Sequence, residues 1–459
     1  MSAPLTHELA GFIATFRPER LPPAVRAQNR VLIRDGAATL LAAANPDFST
    51  GRRIAAFVRD LAGAPEAHVV GHGFRTDAAS AALANGTMGY ACDFEPHHPE
   101  AVLHPIAVMI PAAIAAAEVA NASGAAFAAA VALGCEVEYR VAMALDPMGL
   151  YEFGFHPSAV CGAFGAAAAS SFLFGLDADG TERALGLAAC QASGLAAWQS
   201  DPTENARPFQ MGVAARNGVT AALLARGGFG GPRGIFDHGH TVFRAFTARP
   251  RPHLLTAGLG TRWEGVMGLA IKPYSCVSET HPALDALFEL VRDEGLTADA
   301  VERIVLHFAR SIIHCIDGNP LKSHCAQYIL PVALVNGDIT VADLFFDRRD
   351  TDPRIAALSR RVTVVADDGE LEALFPAKYA TILEVETKDG RTLRRRNDQA
   401  LGYPATPMSE ARLLDKARAL FSTVAAPARV EALFAAIDGL ADAPSVAPFA
   451  RLMGAAPDA

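Results

Sequence analysis

From residue 153 to residue 176 the chain carries no aspartate, glutamate, lysine or arginine, and its only histidine there is His156. The stretch is long enough to cross a bilayer. It consists mostly of Ala, Gly, Ser and Phe, however, and lacks the Leu, Ile and Val density of a membrane span. It reads instead as a helix at the centre of a globular protein. Small residues at Gly162, Gly165 and 166–169, matched by Ala214, Ala215, Ala221 and Ala222 in a later segment, let helix backbones approach closely. That excludes a core built of large side chains and predicts a compact helical layer.

The same texture extends along the first half of the chain. Helical periodicity is present over 25–44, 50–62, 77–92, 105–120, 125–145, 157–175, 180–194 and 209–227. Ser123 is placed to cap the helix that follows it. After about residue 265 the texture changes. Segments 301–308 and 362–366 are rich in β-branched residues, and 379–386 alternates toward a turn at Lys388-Asp389-Gly390, from which 392–396 returns. Helical patterns remain at 282–292, 324–336 and 352–358, the last with Asp352 as cap and Pro353 first in the helix. Past Pro404 and Pro407 helical periodicity resumes at 410–420 and 429–440, and the tail from Asp442 reads as loosely held. The fold class expected is mostly α. A large all-helical domain is built from both termini, 1–267 and 405–459, and a smaller α+β domain, 268–404, is inserted.

The formal charge of −9 and pI near 5.9 argue against nucleic acid or an anionic membrane as partner, since both call for a basic footprint. A small anionic substrate needs only a few local cations and stays open. Seven scattered cysteines without a C-x-x-C pair point to reduced thiols. The first twenty residues do not resemble a signal peptide. Both features place the protein in the cytoplasm.

Polar chemistry is concentrated at 93–104, where three carboxylates (Asp93, Glu95, Glu100) and three histidines (His97, His98, His104) interrupt an apolar neighbourhood. Prolines 96, 99 and 105 rule out a continuous helix. A helix end, a turn and a new helix at Pro105 are expected, which is a common setting for catalytic groups. The plain alternative is a solvated inter-helix loop. The paired histidines with His104 lack the spacing of a metal site, so no metal is expected. His156 precedes the uncharged helix, whose amino end favours a carboxylate ligand and lowers a histidine's pKa; a capping role is the alternative. Arg207 opens the next small-residue helix, where it could grip a carboxylate or be solvated. Lys272 is an isolated lysine in apolar surroundings where the texture changes. Tyr328 lies in a helix of the α+β block, as a potential acid or as packing.

Taken in order, these segments resemble the MmgE/PrpD family, which includes 2-methylcitrate dehydratase, cis-aconitate decarboxylase and iminodisuccinate epimerase. Asp93-Phe94 with His104-Pro105 is similar to the family's Asp-Phe-Asp-Asp-Thr…His-Pro segment. Gly154-Phe155-His156 with 162–167 resembles its Gly-Phe-His…Phe-Gly-Ala-Ala helix, and 207–216 its Lys-Pro-Leu-His-x-Gly-x-Ala-Ala-Arg stretch. Gly228-Phe229-Gly230-Gly231-Pro232, Lys272-Pro273-Tyr274 and His324-Cys325-Ala326-Gln327-Tyr328 follow. The resemblance implies that the inserted domain is a lid and that the protein is a homodimer. It also implies a cofactor-free pocket between the domains, lined by Asp93, His104, His156, Lys272 and Tyr328 as the catalytic set. Arg207, His97, His98 and Gln210 are assigned to substrate binding. Glu95-Pro96-His97, Arg207 and Gln210 depart from the family pattern. The activity expected is that of a lyase on a small di- or tricarboxylate, dehydration first and decarboxylation or epimerisation as alternatives. His104 or His156 would act as base, with Asp93 orienting an imidazole. A non-catalytic carboxylate-binding relative is the reading from another class.

Overall fold

The computed structural model describes residues 4–237, 241–345 and 352–458. The chain divides into two compact units. One comprises Met1–Ala91, Glu95–Ala270 and Glu410–Ala459, the other Cys92–Phe94 and Ile271–Ser409.

The first unit is helical. Its elements include α1 (Leu5–Thr15), α2 (Pro23–Ala42), α3 (Ser49–Asp60), α4 (Ala78–Ala91), α5 (Pro105–Ala120), α6 (Gly124–Leu145), α7 (Pro147–Glu152), α8 (Pro157–Leu173), α9 (Ala178–Ala189) and α10 (Ala206–Arg226), with further helices at Glu410–Phe421 and Pro427–Asp438. Local chemistry sets their ends. Pro105 and Pro157 open α5 and α8, where a missing N–H costs nothing. Asn121 closes α5 in the left-handed conformation, and the Ser123 hydroxyl accepts from Ala126 N at 3.2 Å to start α6. Every residue of α8 from Pro157 to Ser171 is buried, so this helix is at the centre of the unit. Among the described residues, no helix is long and apolar enough to cross a membrane.

Backbone contact between helices depends on glycine. A Cβ on Gly212 of α10 would fall 2.2 Å from Leu83 O of α4, and one on Gly165 of α8 2.7 Å from Gly134 O of α6. Helix 180–194 of the sequence reading stops earlier, at Ala189. Beyond it the chain turns extended through Gly194 (φ 135), and Leu195 makes an isolated bridge with Phe155. A short hairpin, β1 (Ala67–Val69) and β2 (Phe74–Thr76), also interrupts the helical series.

The C-terminal tail is not loose. Ala447–Gly454 is helical, with Phe449, Ala450 and Met453 buried. Arg429 fastens it by donating to Leu452 O, Ala455 O and Ala456 O. The apolar positions are spaced for one buried helical face, and that burial overrides the Pro and Gly content of the tail.

The second unit is α+β. Its sheet has the order β4 (Val362–Asp367), β3 (Val301–Ala309), β5 (Thr381–Thr387), β6 (Thr392–Asn397). β3 runs parallel to β4, Leu306 opposite Val364, and antiparallel to β5, Leu306 opposite Leu383. β5 and β6 form the expected hairpin around Lys388-Asp389-Gly390. Leu284 and Leu287 of His281–Glu294 and Ile329 of Ala326–Asn336 share one core with Leu306, Phe308 and Leu383. On the edge strand β6, Arg394 and Arg396 face Glu384 and Glu370, and such charged rims discourage pairing with another sheet.

Candidate active site

The segment after α4 is folded tightly rather than solvated. His97 forms a two-way backbone bridge with Ala270 (2.9 and 2.8 Å), and His98 does the same with Leu103 (2.7 and 3.2 Å). Between His98 and Leu103, Val102 is held at φ 52, and Asp93 stands at φ 47. A β-branched residue in the left-handed region is sterically costly, and such strain concentrates at functional sites. The bridges bring the chain back to His104, the residue before α5.

The His104 Nδ1 lies 2.7 Å from Oε1 of Glu95, whose carboxylate is 0% exposed. Tyr90, from the last turn of α4, packs its ring 4.5 Å from that of His104 and 6.2 Å from that of His156. On another side the His97 ring stacks 6.0 Å from His104.

His156 is 1% exposed and does not cap α8 with its side chain. Its backbone N–H donates to Gly194 O at 2.9 Å. The ring Nδ1 is 3.0 Å from Gln210 Oε1, while Gln210 Nε2 donates to Leu195 O at 2.8 Å. Burial pushes the His156 imidazole down to about 3; the hydrogen bond to the Gln210 oxygen opposes this, and the nearby His104 and Arg207 charges add to it. His156 is therefore neutral at physiological pH.

Arg207, in the first turn of α10, is 3% exposed and not solvated. Its guanidinium is 4.5 Å from the Tyr90 ring centre and 5.7 Å from that of Trp198, with Glu204 at 4.0 Å. Aromatic faces hold a cation without neutralising it. The first unit thus collects Tyr90, Glu95, His97, His104, His156, Trp198, Arg207 and Gln210 in one cluster.

Two of the residues assigned to substrate binding are engaged with protein atoms. Both nitrogens of His98 are engaged, Nε2 with Glu264 O (3.0 Å) and Nδ1 with Ala101 N (3.3 Å), and burial lowers its pKa to about 4. His98 holds the turn. Gln210 likewise gives both amide ends to protein partners. The carboxylate 2.7 Å from the His104 Nδ1 is that of Glu95, whereas the sequence pointed to Asp93 for such a role.

Asp93 belongs to the second unit. Lys272, 1% exposed, donates to Asp93 Oδ1 at 2.5 Å and to Asp93 O at 3.1 Å, and Ser275 Oγ donates to Cys92 O at 2.9 Å. Glu279 is close enough to feel both charges of this pair; burial raises its pKa, against the pull of His324 and Lys272. Tyr328 is half-buried, with its hydroxyl donating to Asp343 O at 3.3 Å and Lys322 over its ring at 5.1 Å. Among the described residues, no contact joins Tyr328 to the Asp93–Lys272 pair.

Among the described residues, one group of side chains has metal-ligand spacing, His7, Asp179 and Glu182, but Arg233 already lies 3.0 Å from Asp179 and 3.8 Å from Glu182. The cation there is an arginine. Sequence reasoning missed Tyr90, Glu95 and Trp198 as site members. Glu95 alone left a signal, as a carboxylate retained at a position where the neighbouring residues depart from the family pattern.

A family model described as the MmgE/PrpD N-terminal domain matches residues 7–255, and one described as the MmgE/PrpD C-terminal domain matches residues 274–440. The chain is 32% identical over 303 residues to the cis-aconitate decarboxylase-like protein oryM of Aspergillus oryzae, covering 63% of this chain and 62% of that protein, under two thirds of its length. It is 28% identical over 478 residues to cis-aconitate decarboxylase of Aspergillus terreus, covering 98% of this chain and 96% of that protein. To 2-methylcitrate dehydratase of Cupriavidus necator it is 29% identical over 236 residues, 48% of each.

Proposed function

The chain belongs to the MmgE/PrpD family, and on that premise we propose that it is a lyase that moves a proton at the carbon beside a carboxylate of a small di- or tricarboxylate. The observation that carries this reading is the Glu95–His104 pair at 2.7 Å beside Tyr90, with neutral His156 and the buried Arg207 cation around the same ring. A buried carboxylate at Nδ1 lets His104 hold a proton and release it from Nε2. Arg207 binds a substrate carboxylate and stabilises charge that develops on it.

A relative matched along nearly its whole length is named a cis-aconitate decarboxylase, and we take that reaction first. The bond from the saturated carbon to its carboxylate breaks and CO2 leaves. The freed electron pair forms the new C=C, and the old C=C pair takes a proton at the carbon beside another carboxylate. His104 supplies that single proton. The second reading is dehydration, favoured by the presence of a second imidazole kept neutral. There His156 accepts the C–H proton while His104 protonates the departing hydroxyl. Lys272, Asp93 and Tyr328 remain assigned to the reaction by the family resemblance alone. A double-mutant cycle between His156 and Lys272 tests whether both act on one substrate.

Incubating the protein with cis-aconitate, 2-methylcitrate and citrate, followed by NMR, tests the proposal. A terminal methylene with release of CO2 identifies decarboxylation, and a new alkene from a hydroxy acid identifies dehydration. Binding without turnover of any polycarboxylate would refute the lyase reading in favour of a non-catalytic carboxylate binder.

A further inference from the structure

We infer that Gln210 is a positioning residue that locks His156 in the Nδ1–H tautomer, leaving Nε2 as a bare proton acceptor. The inference rests on the site reading above and deepens it, by deciding which of the two imidazoles accepts a proton.

Leu195 O can only accept, so the Gln210 end 2.8 Å away must be the NH2 group. That fixes the amide orientation without reference to the histidine. The other end, the carbonyl oxygen, therefore faces His156 Nδ1 at 3.0 Å. An amide oxygen also only accepts, so Nδ1 must carry the hydrogen. A neutral imidazole has one N–H, and His156 is held neutral by burial. Nε2 is then without a proton, and no hydrogen-bond partner for it is present among the described residues.

The lock depends on how the chain approaches Gln210. The backbone around Leu195 is pinned to the loop before α8 by His156 N to Gly194 O (2.9 Å) and Ala196 N to Gly154 O (2.8 Å). Gly194 makes this possible: it has φ 135, and a Cβ there would lie 2.3 Å from Ala159 Cβ and 3.2 Å from Gln210 Oε1. Around the ring, the titratable or charged groups are His104 and Arg207, with Tyr90 stacked on it and Tyr151 tilted against it. None of these replaces the amide at Nδ1. A bare Nε2 cannot donate to a substrate carboxylate, so anion binding falls to Arg207. His156 faces instead a group that gives up a proton, an activated C–H or a hydroxyl. His104, with a carboxylate at Nδ1, has the opposite character.

NMR of protein labelled with 15N-histidine reads the tautomer directly from two-bond correlations, with His156→Gln identifying the signal. The expected wild-type pattern is a protonated Nδ1 and an unprotonated Nε2 for this ring. In Gln210→Ala the ring should move to the Nε2–H form or to a mixture, with kcat falling at least about tenfold and KM changing less. Gln210→Glu keeps an acceptor at Nδ1, so it should keep the tautomer; its charge should move the acid limb of kcat/KM to higher pH. A wild-type Nε2–H ring, or an Nδ1–H ring that persists in a folded Gln210→Ala protein, would overturn the inference. A locked tautomer in a protein that turns over no polycarboxylate would support the lock and refute the proposed function, so the two failures are distinguishable.

Discussion

Replacing Glu95 with glutamine probes the His104 pair with little change of shape. The carboxylate is fully buried and 2.7 Å from Nδ1. Two unit charges about 4 Å apart attract by about 4 kcal/mol at an effective dielectric near 20. The amide still accepts from Nδ1–H, so the part lost is the charge-assisted fraction, about 1.5–3 kcal/mol. At 1.36 kcal/mol per factor of ten, kcat should fall by about 10–150-fold. Stability should change little, because His104 can become neutral instead of remaining as a stranded ion. The sign of the pH effect follows. Without the carboxylate the imidazolium form of His104 is less favoured, so the alkaline limb of kcat/KM moves to lower pH and acidification restores part of the activity. Steady-state kinetics from pH 5 to 9, with thermal melting in parallel, would show this. Activity within about threefold of wild type and an unshifted profile would refute the role given to Glu95.

Lys272→Met should lower the melting temperature as well as activity, since it leaves the Asp93 carboxylate buried without its ammonium partner, a change that typically costs about 3–5 kcal/mol. Adding Asp93→Asn should recover much of the stability but not the turnover; a melting temperature that stays low in the double variant would contradict the pairing. His98→Gln should destabilise the fold at pH 7, but by less as the pH falls. The His98 pKa is lowered from 6.5 to about 4, so the wild type loses stability between those values and the variant does not. The gap in urea unfolding free energy should narrow by about 2 kcal/mol between pH 7 and 4.5, and a constant gap would argue against a neutral His98. Activity is expected to survive exhaustive chelation; loss on chelation with rescue by zinc or iron would contradict a metal-independent mechanism.

The helical elements were legible because small residues, prolines and caps are local signals. The start of α5 at Pro105, the Ser123 cap and the hairpin turn at Lys388-Asp389-Gly390 all follow from a few neighbouring residues. The helix Ala447–Gly454 was not legible, because burial of Phe449 and Met453 stabilises it more than its composition does. Beyond the early end of α9 the chain passes Gly194, whose close approach to Ala159 sequence spacing cannot reveal. The site was legible as a set of residue types and not as a set of partners. The sequence pointed to Asp93 as the carboxylate that orients an imidazole, and Glu95, two residues on, was passed over. The choice is made by the two backbone bridges and the left-handed Val102, which return His104 to Glu95. The family motif assigned Gln210 to the substrate; its backbone partner, Leu195 O, is fifteen residues away and leaves no local signal.

In the proposed reaction His104 transfers the proton at a carbon beside a carboxylate. Running the reaction in D2O with wild type and His104→Gln, each checked for folding, and following deuterium at that carbon by NMR tests it most directly. The account predicts deuterium in the product or exchanged substrate with the wild type, and a rate lower by at least about 10²-fold in the variant. Deuterium incorporation at a near-normal rate in a folded His104→Gln protein would contradict it.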